Sequence, residues 1–293
     1  MAEPKPYTIG SDLVIRPEMD FEFDGDARGV IWCWEPPQPR EAYVVGVDPS
    51  VGIPGWNRYV RRDQDEQIDN GAIEVIRVGR NVTKKGMDGR EEVVRLPDVQ
   101  VAEYAGPLDA EELADIANAL GRLYSGADEQ GMALMMIEMY PGPGLLTYRR
   151  LINDFGYTNH FVWKYLDQAV PTEANRFVFW ATRESVKYLW IRSLRLCQKG
   201  GFIPRSPWLV EEMRDCEMDP AKQVGKAIFG SHDDRVRAFM IAQWAAHDWS
   251  MQVQTETPRV EEGLKPANWQ ASDLSYDQLM ERWEERVAEI VED

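Results

Sequence analysis

The chain is poor in the residues that build soft-metal and disulfide sites, with three cysteines and three histidines in 293 positions. Cys33, Cys197 and Cys216 are scattered and share no paired spacing, so neither a zinc ribbon nor a disulfide framework is encoded. No apolar run approaches the roughly 18 residues of a membrane span. Pro4 and Pro6 stand where a secretory leader would be basic and then apolar. The expectation is a soluble, unsecreted protein without a membrane partner. No Gly-x-x-x-x-Gly-Lys-Ser/Thr loop occurs, which excludes ATP hydrolysis by that route. Basic residues are also short, at 33 Lys and Arg against 50 Asp and Glu, a net charge of −17. That balance weighs against a nucleic-acid partner until its distribution is considered. Residues 255–293 hold 11 acids and 4 bases, whereas residues 176–214 hold 8 bases and 3 acids. One basic segment in a negative chain still admits a polyanion, with strong salt dependence.

With 44% hydrophobic residues the chain can bury a sizeable core. The stretch Tyr43-Val-Val-Gly-Val-Asp48-Pro-Ser-Val-Gly52 is a short apolar run closed by turn formers, the pattern of a buried strand. Pro49 cannot continue a central strand, so Asp48 is left at its tip. A carboxylate there needs a cation, a metal or water as partner, although Asp-Pro is also a common turn opener, so both roles stay open. Met132 to Ile137 repeats the design and closes on Glu138 before Pro141-Gly-Pro-Gly144.

Further strands are expected at 72–78, 99–104, 160–166 and 224–229. A hairpin between 81 and 95 carries Lys84, Lys85 and Arg90. Helical spacing predicts a helix capped by Asp109 with Leu113, Ile116, Ala117, Leu120 and Tyr124 inward. Another is expected over 145–155. A third, over 182–198, should turn Val186, Leu189, Trp190, Leu194 and Cys197 inward and Arg192, Arg195 and Lys199 outward. A fourth begins at Asp233-Asp234, with Val236, Phe239, Met240, Trp244 and His247 on its inner face. Simple capping would account for its two acids. Residues 1–40 read as a proline-marked arm or connector, 41–250 as the main domain, and 251–293 as a linker and acidic amphipathic helix around Trp283.

Strands alternating with helices after an initial set of three imply an α/β protein with a mixed central sheet flanked by helices. Asp48 and Glu138 fall at strand ends, where ligand sites in such sheets lie. With Asp233 or Asp234 they form an oxygen-only set suited to Mg²⁺ or Mn²⁺. On the helix wheel, Asp233 shares the face of Val236 and Met240, and Asp234 is rotated outward by about 100°.

The ordered motifs Val-Gly-Val-Asp48-Pro-Ser-Val-Gly, Met-Ile-Glu138-Met-Tyr-Pro-Gly and Gly-Ser-His232-Asp233-Asp234-Arg-Val-Arg-Ala resemble the C-terminal nuclease domain of bacteriophage large terminases. The segment Phe-Trp180-Ala-Thr182-Arg-Glu-Ser-Val-Lys187 and the helix from Pro207 to Met213 belong to the same resemblance, which spans about residues 40–250. It implies a ribonuclease-H-like fold and two-metal endonucleolytic cleavage of concatemeric double-stranded DNA during genome packaging. Asp48, Glu138, Asp233 and Asp234 are the implied catalytic and metal residues, with two Mg²⁺ or Mn²⁺ ions and His232 as an accessory. Lys84, Lys85, Arg183, Lys187, Arg192, Arg195, Lys199 and Arg205 are candidates for phosphate contacts, which position DNA without reading its sequence. The implied partners are a packaging ATPase domain, portal or small terminase, in the host cytoplasm and transiently at the procapsid portal. Two departures stand out: Asn57 and Arg237 occupy places where relatives often carry acids. The missing ATPase motif suggests a separated domain, a truncated form or one half of a split system. Two other classes compete. An actin-like phosphotransferase or ATPase would need a later Asp-x-Gly phosphate hairpin, which is not found. A non-catalytic docking module would work through the Trp283 helix.

Overall fold

The computed structural model describes residues 4–18, 22–23, 27–50, 70–85, 90–126, 132–139, 143–161, 183–219, 224–228 and 231–256, without the side chains of 183–185, 218–219, 224–226 and 248–256. The expected turn through Gly55, with Trp56 and Asn57, lies outside them. So do Trp180 and Thr182, residues 162–166 of the expected strand, and the helix around Trp283.

The first elements are β1 (Lys5–Ile9), β2 (Ile15–Pro17), β3 (Ile31–Cys33), β4 (Tyr43–Asp48) and β5 (Gly71–Arg77). A separate hairpin of β6 (Asn81–Lys85) and β7 (Glu91–Arg95) precedes β8 (Asp98–Gly106). Then follow α1 (Ala110–Leu123), β9 (Leu134–Ile137) and α2 (Pro143–Arg149), the last continued by a π-helical turn over Arg150–Asp154. The remainder is α3 (Arg183–Gln198), β10 (Phe202–Ile203), α4 (Pro207–Asp215), β11 (Cys216–Asp219), β12 (Val224–Ala227) and α5 (Asp234–Glu256). Among the described residues no helix is long and apolar enough to cross a membrane.

Eight strands form one mixed sheet in the order β2-β1-β3-β8-β5-β4-β9, with β10 beside β8. Neighbours along that order are antiparallel except β4 and β9, which run parallel. The mixed sheet flanked by helices expected from the sequence is therefore present. The stretch read as an arm or connector supplies β1, β2 and β3 to the same sheet, and its Trp32 and Trp34 pack with Trp208. Glu35 fastens its end, accepting from Arg77 Nη2 at 3.1 Å and Arg205 Nη2 at 2.7 Å.

Alternation along β4 explains the two-sided core, because successive strand side chains point to opposite faces. Tyr43, Val45 and Val47 join Ile73 and Val75 against Leu113, Ala117 and Leu120 of α1. That helix starts as expected, with the Asp109 carboxylate accepting from the Glu111 and Glu112 N–H groups in a capping box. Val44, Ile76 and Met136 face the other way, against Leu189 of α3, Leu209 of α4 and Phe239, Met240 and Ala242 of α5.

Helix α5 comes unusually close to β4. A Cβ on Gly46 would stand 2.2 Å from the Ala238 carbonyl oxygen and 2.5 Å from the Ala242 nitrogen. Ala238, Ala72 and Ala105 share a small-residue contact at the same level. Backbone atoms cannot step aside as a flexible side chain does. Gly46→Ala is expected to destabilise the fold by about 1–3 kcal/mol, the usual cost of overpacking, read from the midpoint of urea unfolding.

Candidate active site

Strand parity brings the two tip acids together. Asp48 shares the α5-facing side of β4 with Val44 and Gly46, as Glu138 shares that side of β9 with Met136. The parallel register pairs Val47 with Ile137, and the Glu138 N–H donates to the Val47 carbonyl at 2.9 Å. The two carboxyl groups are consequently neighbours, 8% and 6% exposed. Burial, then the charge of Glu138, holds Asp48 well above the usual aspartate value.

The third acid comes from the start of α5, and here the helix-wheel expectation is reversed. Asp234 is 6% exposed, whereas the Asp233 side chain is 24% exposed. The wheel placed the sheet beneath Val236 and Met240. The closest approach is instead along Ala238 and Ala242, small residues whose face Asp234 continues at four-residue spacing. Asp234 Oδ2 accepts from Asn70 Nδ2 at 3.2 Å and lies 3.3 Å from His232 Nδ1. That carboxylate raises the histidine above its ordinary value and keeps it closer to the charged form. His232 thus contacts the acid it was expected to accompany.

Asn70 was missed in the sequence. It is the residue before β5, and β5 runs antiparallel to β4 with Ala72 opposite Asp48. A hairpin reading of the two strands would have brought it alongside. Asn70 Oδ1 and Ser50 Oγ are buried and have no hydrogen-bond partner among the described residues. Ser50 lies two residues past Asp48. Asn70, hydrogen-bonded to Asp234, adds a hard oxygen donor beside the acids, so the residues present fit a hard divalent cation. Among the described residues, however, no three acidic, histidine or cysteine side chains stand as a ready-made metal cluster. Arg237 reaches in instead, with Nη1 3.7 Å from Glu138 Oε2 and Nε 3.7 Å from Asp233 Oδ1.

Behind this site lies a buried polar network that sequence reasoning also missed. Glu74 and Glu103 face each other in register on β5 and β8, both fully buried. Gln100 Nε2 donates to both, at 2.7 and 3.1 Å. Arg235 approaches from α5, with Nε 3.5 Å from Glu103 Oε1 and Nη1 donating to Glu212 Oε1 at 2.7 Å. A lone glutamate within an apolar strand was the available signal. Burial, then the neighbouring Glu103 charge, raises Glu74 well above its ordinary value. Burial similarly pushes Glu212 up to about 7, against the pull of Arg235.

The basic candidates sort unevenly. Lys84 and Lys85 are exposed on β6 but stand opposite Glu92 and Glu91 in register. Cross-strand opposite charges of that kind offset one another. Arg205 is held by Glu35. Arg192, expected outward, has its guanidinium 5.9 Å from the Trp244 ring centre, while Leu194, expected inward, is 44% exposed. The helix turns Leu189, Trp190 and Cys197 towards the core as expected and adds Ser193 and Leu196 in place of Leu194. Arg195 and Lys187 are half-buried, and Lys199 is exposed at the end of α3. The Arg183 side chain lies outside the described residues.

No protein-family model and no characterised protein sequence matches the chain. Solved structures similar to it include two terminase nucleases. The large terminase nuclease of thermophilic phage G20c gives a TM-score of 0.46 at 15% identity, covering 75% of this chain and 90% of that one. The human cytomegalovirus terminase nuclease domain, Mn-soaked and inhibitor-bound, gives 0.37 at 9%, covering 73% and 87%.

The buried glutamates imply a pH dependence. A carboxyl raised in the folded state contributes stability that is complete below its unfolded value and is lost as pH rises through the folded value. Stability should therefore decline upward from the ordinary glutamate value of 4.5. Glu74→Gln removes one such group while keeping a hydrogen-bond donor. Its thermal midpoint is expected to exceed the parent's by about 3 °C or more at pH 8, equivalent to roughly 1 kcal/mol, and to match it at pH 4.5.

Proposed function

We propose that the chain is a divalent-metal-dependent endodeoxyribonuclease of a viral genome-packaging terminase, cutting concatemeric double-stranded DNA with little sequence preference. The observation that supports this most directly is the convergence of Asp48 and Glu138 at adjacent strand ends beneath Asp234. Asp48 and Glu138 are buried side by side and the charge of Asp234 adds to theirs, a repulsion that a cation would relieve. The order and content of the motifs around them add the terminase reading.

In this reading Asp48 would lie centrally among the residues that hold the cations, with Glu138 on one side and Asp234, joined by Asp233 at the rim, on the other. Mg²⁺ or Mn²⁺ bound there supplies activation of the attacking water and stabilisation of the leaving oxygen. Asn70 and His232 fix the orientation of the Asp234 carboxylate, leaving one of its oxygens for the cation. Burial on both faces of β4 and β9 keeps the carboxylates in place, so that little reorganisation accompanies catalysis. Lys199 is the exposed cation offered to phosphates, with Lys187, Arg195 and the Arg183 position nearby in sequence and Lys84 and Lys85 contributing beside their cross-strand glutamates. Contacts of that type set the position of the duplex and carry no base information. The same reading includes a packaging ATPase domain, portal or small terminase as partner, and action in the host cytoplasm, transiently at the procapsid portal.

Asp48→Ala is expected to lower Mn²⁺-dependent nicking of supercoiled plasmid by about 10²-fold or more, the scale of losing a preorganised electrostatic group. EDTA should abolish nicking by the parent protein. Circular dichroism should show the variant folded. Undiminished nicking by the purified variant would refute the assignment.

A further inference from the structure

We propose that Arg237 is an internal counter-cation that competes with divalent metal for Glu138 and Asp233, so that a metal ion enters only as the guanidinium swings out. This rests on the metal-site reading above and assigns a control element within that site.

Four features of the molecule lead there. Arg237 spans the acids from one turn inside α5, with Nη1 3.7 Å from Glu138 Oε2 and Nε 3.7 Å from Asp233 Oδ1. Both separations are ion pairs without a directional hydrogen bond, so the guanidinium is attracted but not locked. Its side chain is 44% exposed, so a path to water is open. Arg235, two residues earlier, shows the contrast: it is 9% exposed and donates to Glu212 at 2.7 Å. The charge of Arg237 is permanent. Although burial works against it, Asp48, Glu138, Asp233 and Asp234 together raise it above the ordinary arginine value.

A guanidinium and a divalent ion cannot share two carboxylates without strong repulsion, since like charges about 4 Å apart repel even in a polar medium. Without metal, Arg237 relieves the repulsion among the acids and stabilises the empty fold. With metal, that contribution is forfeited, and the observed affinity is lowered by the cost of displacing it.

Calorimetric titration of the metal-free full chain with Mn²⁺, without DNA, tests this. Arg237→Gln is expected to bind Mn²⁺ at least about tenfold more tightly than the parent. Equal or weaker binding by Arg237→Gln, with Asp48→Asn still abolishing binding in the parent, would overturn the proposal and leave the nuclease reading standing. Mn²⁺ binding that is unaffected by Asp48→Asn in either background would overturn both. Thermal unfolding gives a second readout that does not depend on heats. In EDTA the Arg237→Gln midpoint should fall below the parent's, and saturating Mn²⁺ should raise the variant's midpoint more than the parent's, because tighter binding stabilises more. A smaller or equal rise in the variant contradicts the competition.

Discussion

The parallel pairing of β4 with β9 places two carboxylates side by side at the end of a buried sheet, and the surrounding structure answers that constraint. Val47 and Ile137 are in register, so the next residue along each strand, Asp48 and Glu138, must share the same small volume. Two adjacent buried charges are untenable without a proton or a cation. Burial and the charge of Glu138 hold Asp48 well above its ordinary value. Arg237 supplies a cation, approaching Glu138 from the solvent side.

Helix α5 is what turns a pair of acids into a site. Its approach to Gly46 is close enough that a methyl group would collide with helix backbone. That proximity gives successive residues of its first turn different duties. Asp234 continues the alanine face towards the strand tips, Arg235 enters the buried glutamate network of β5 and β8, and Arg237 lies across the rim. The glutamate network has its own cost: two facing carboxyls, Glu74 and Glu103, share one approaching arginine with Glu212. Its presence directly behind the site couples the position of Arg235, and so the start of α5, to buried polar bonds that tolerate few alternatives.

The electrostatic face offered to a polyanion is narrower than the list of basic residues suggested. Helical periodicity tells which residues are neighbours on a wheel but not how deep the helix sinks or what covers it. Arg192 is laid against Trp244, and Arg205 is claimed by Glu35, a residue 170 positions earlier. The hairpin lysines were legible as a protrusion, yet their glutamate partners across the strand became visible only with the register. What remains exposed is modest, which accords with a chain of net charge −17.

The amino-acid pattern alone determined that Asp48 and Glu138 end buried strands, because strands covered on both faces read as unbroken apolar runs and a terminal acid interrupts them. It also determined the α1 cap, the hairpin, and the mixed class of the sheet, all governed by local geometry and spacing. Only the tertiary structure decided that β1, β2 and β3 extend the same sheet, that Asp234 and not Asp233 turns inward, and that Asn70 and Arg237 join the acids. Those outcomes depend on strand register and on how closely one helix can settle against a glycine. Both are relations between segments far apart in the chain, and no local periodicity encodes them.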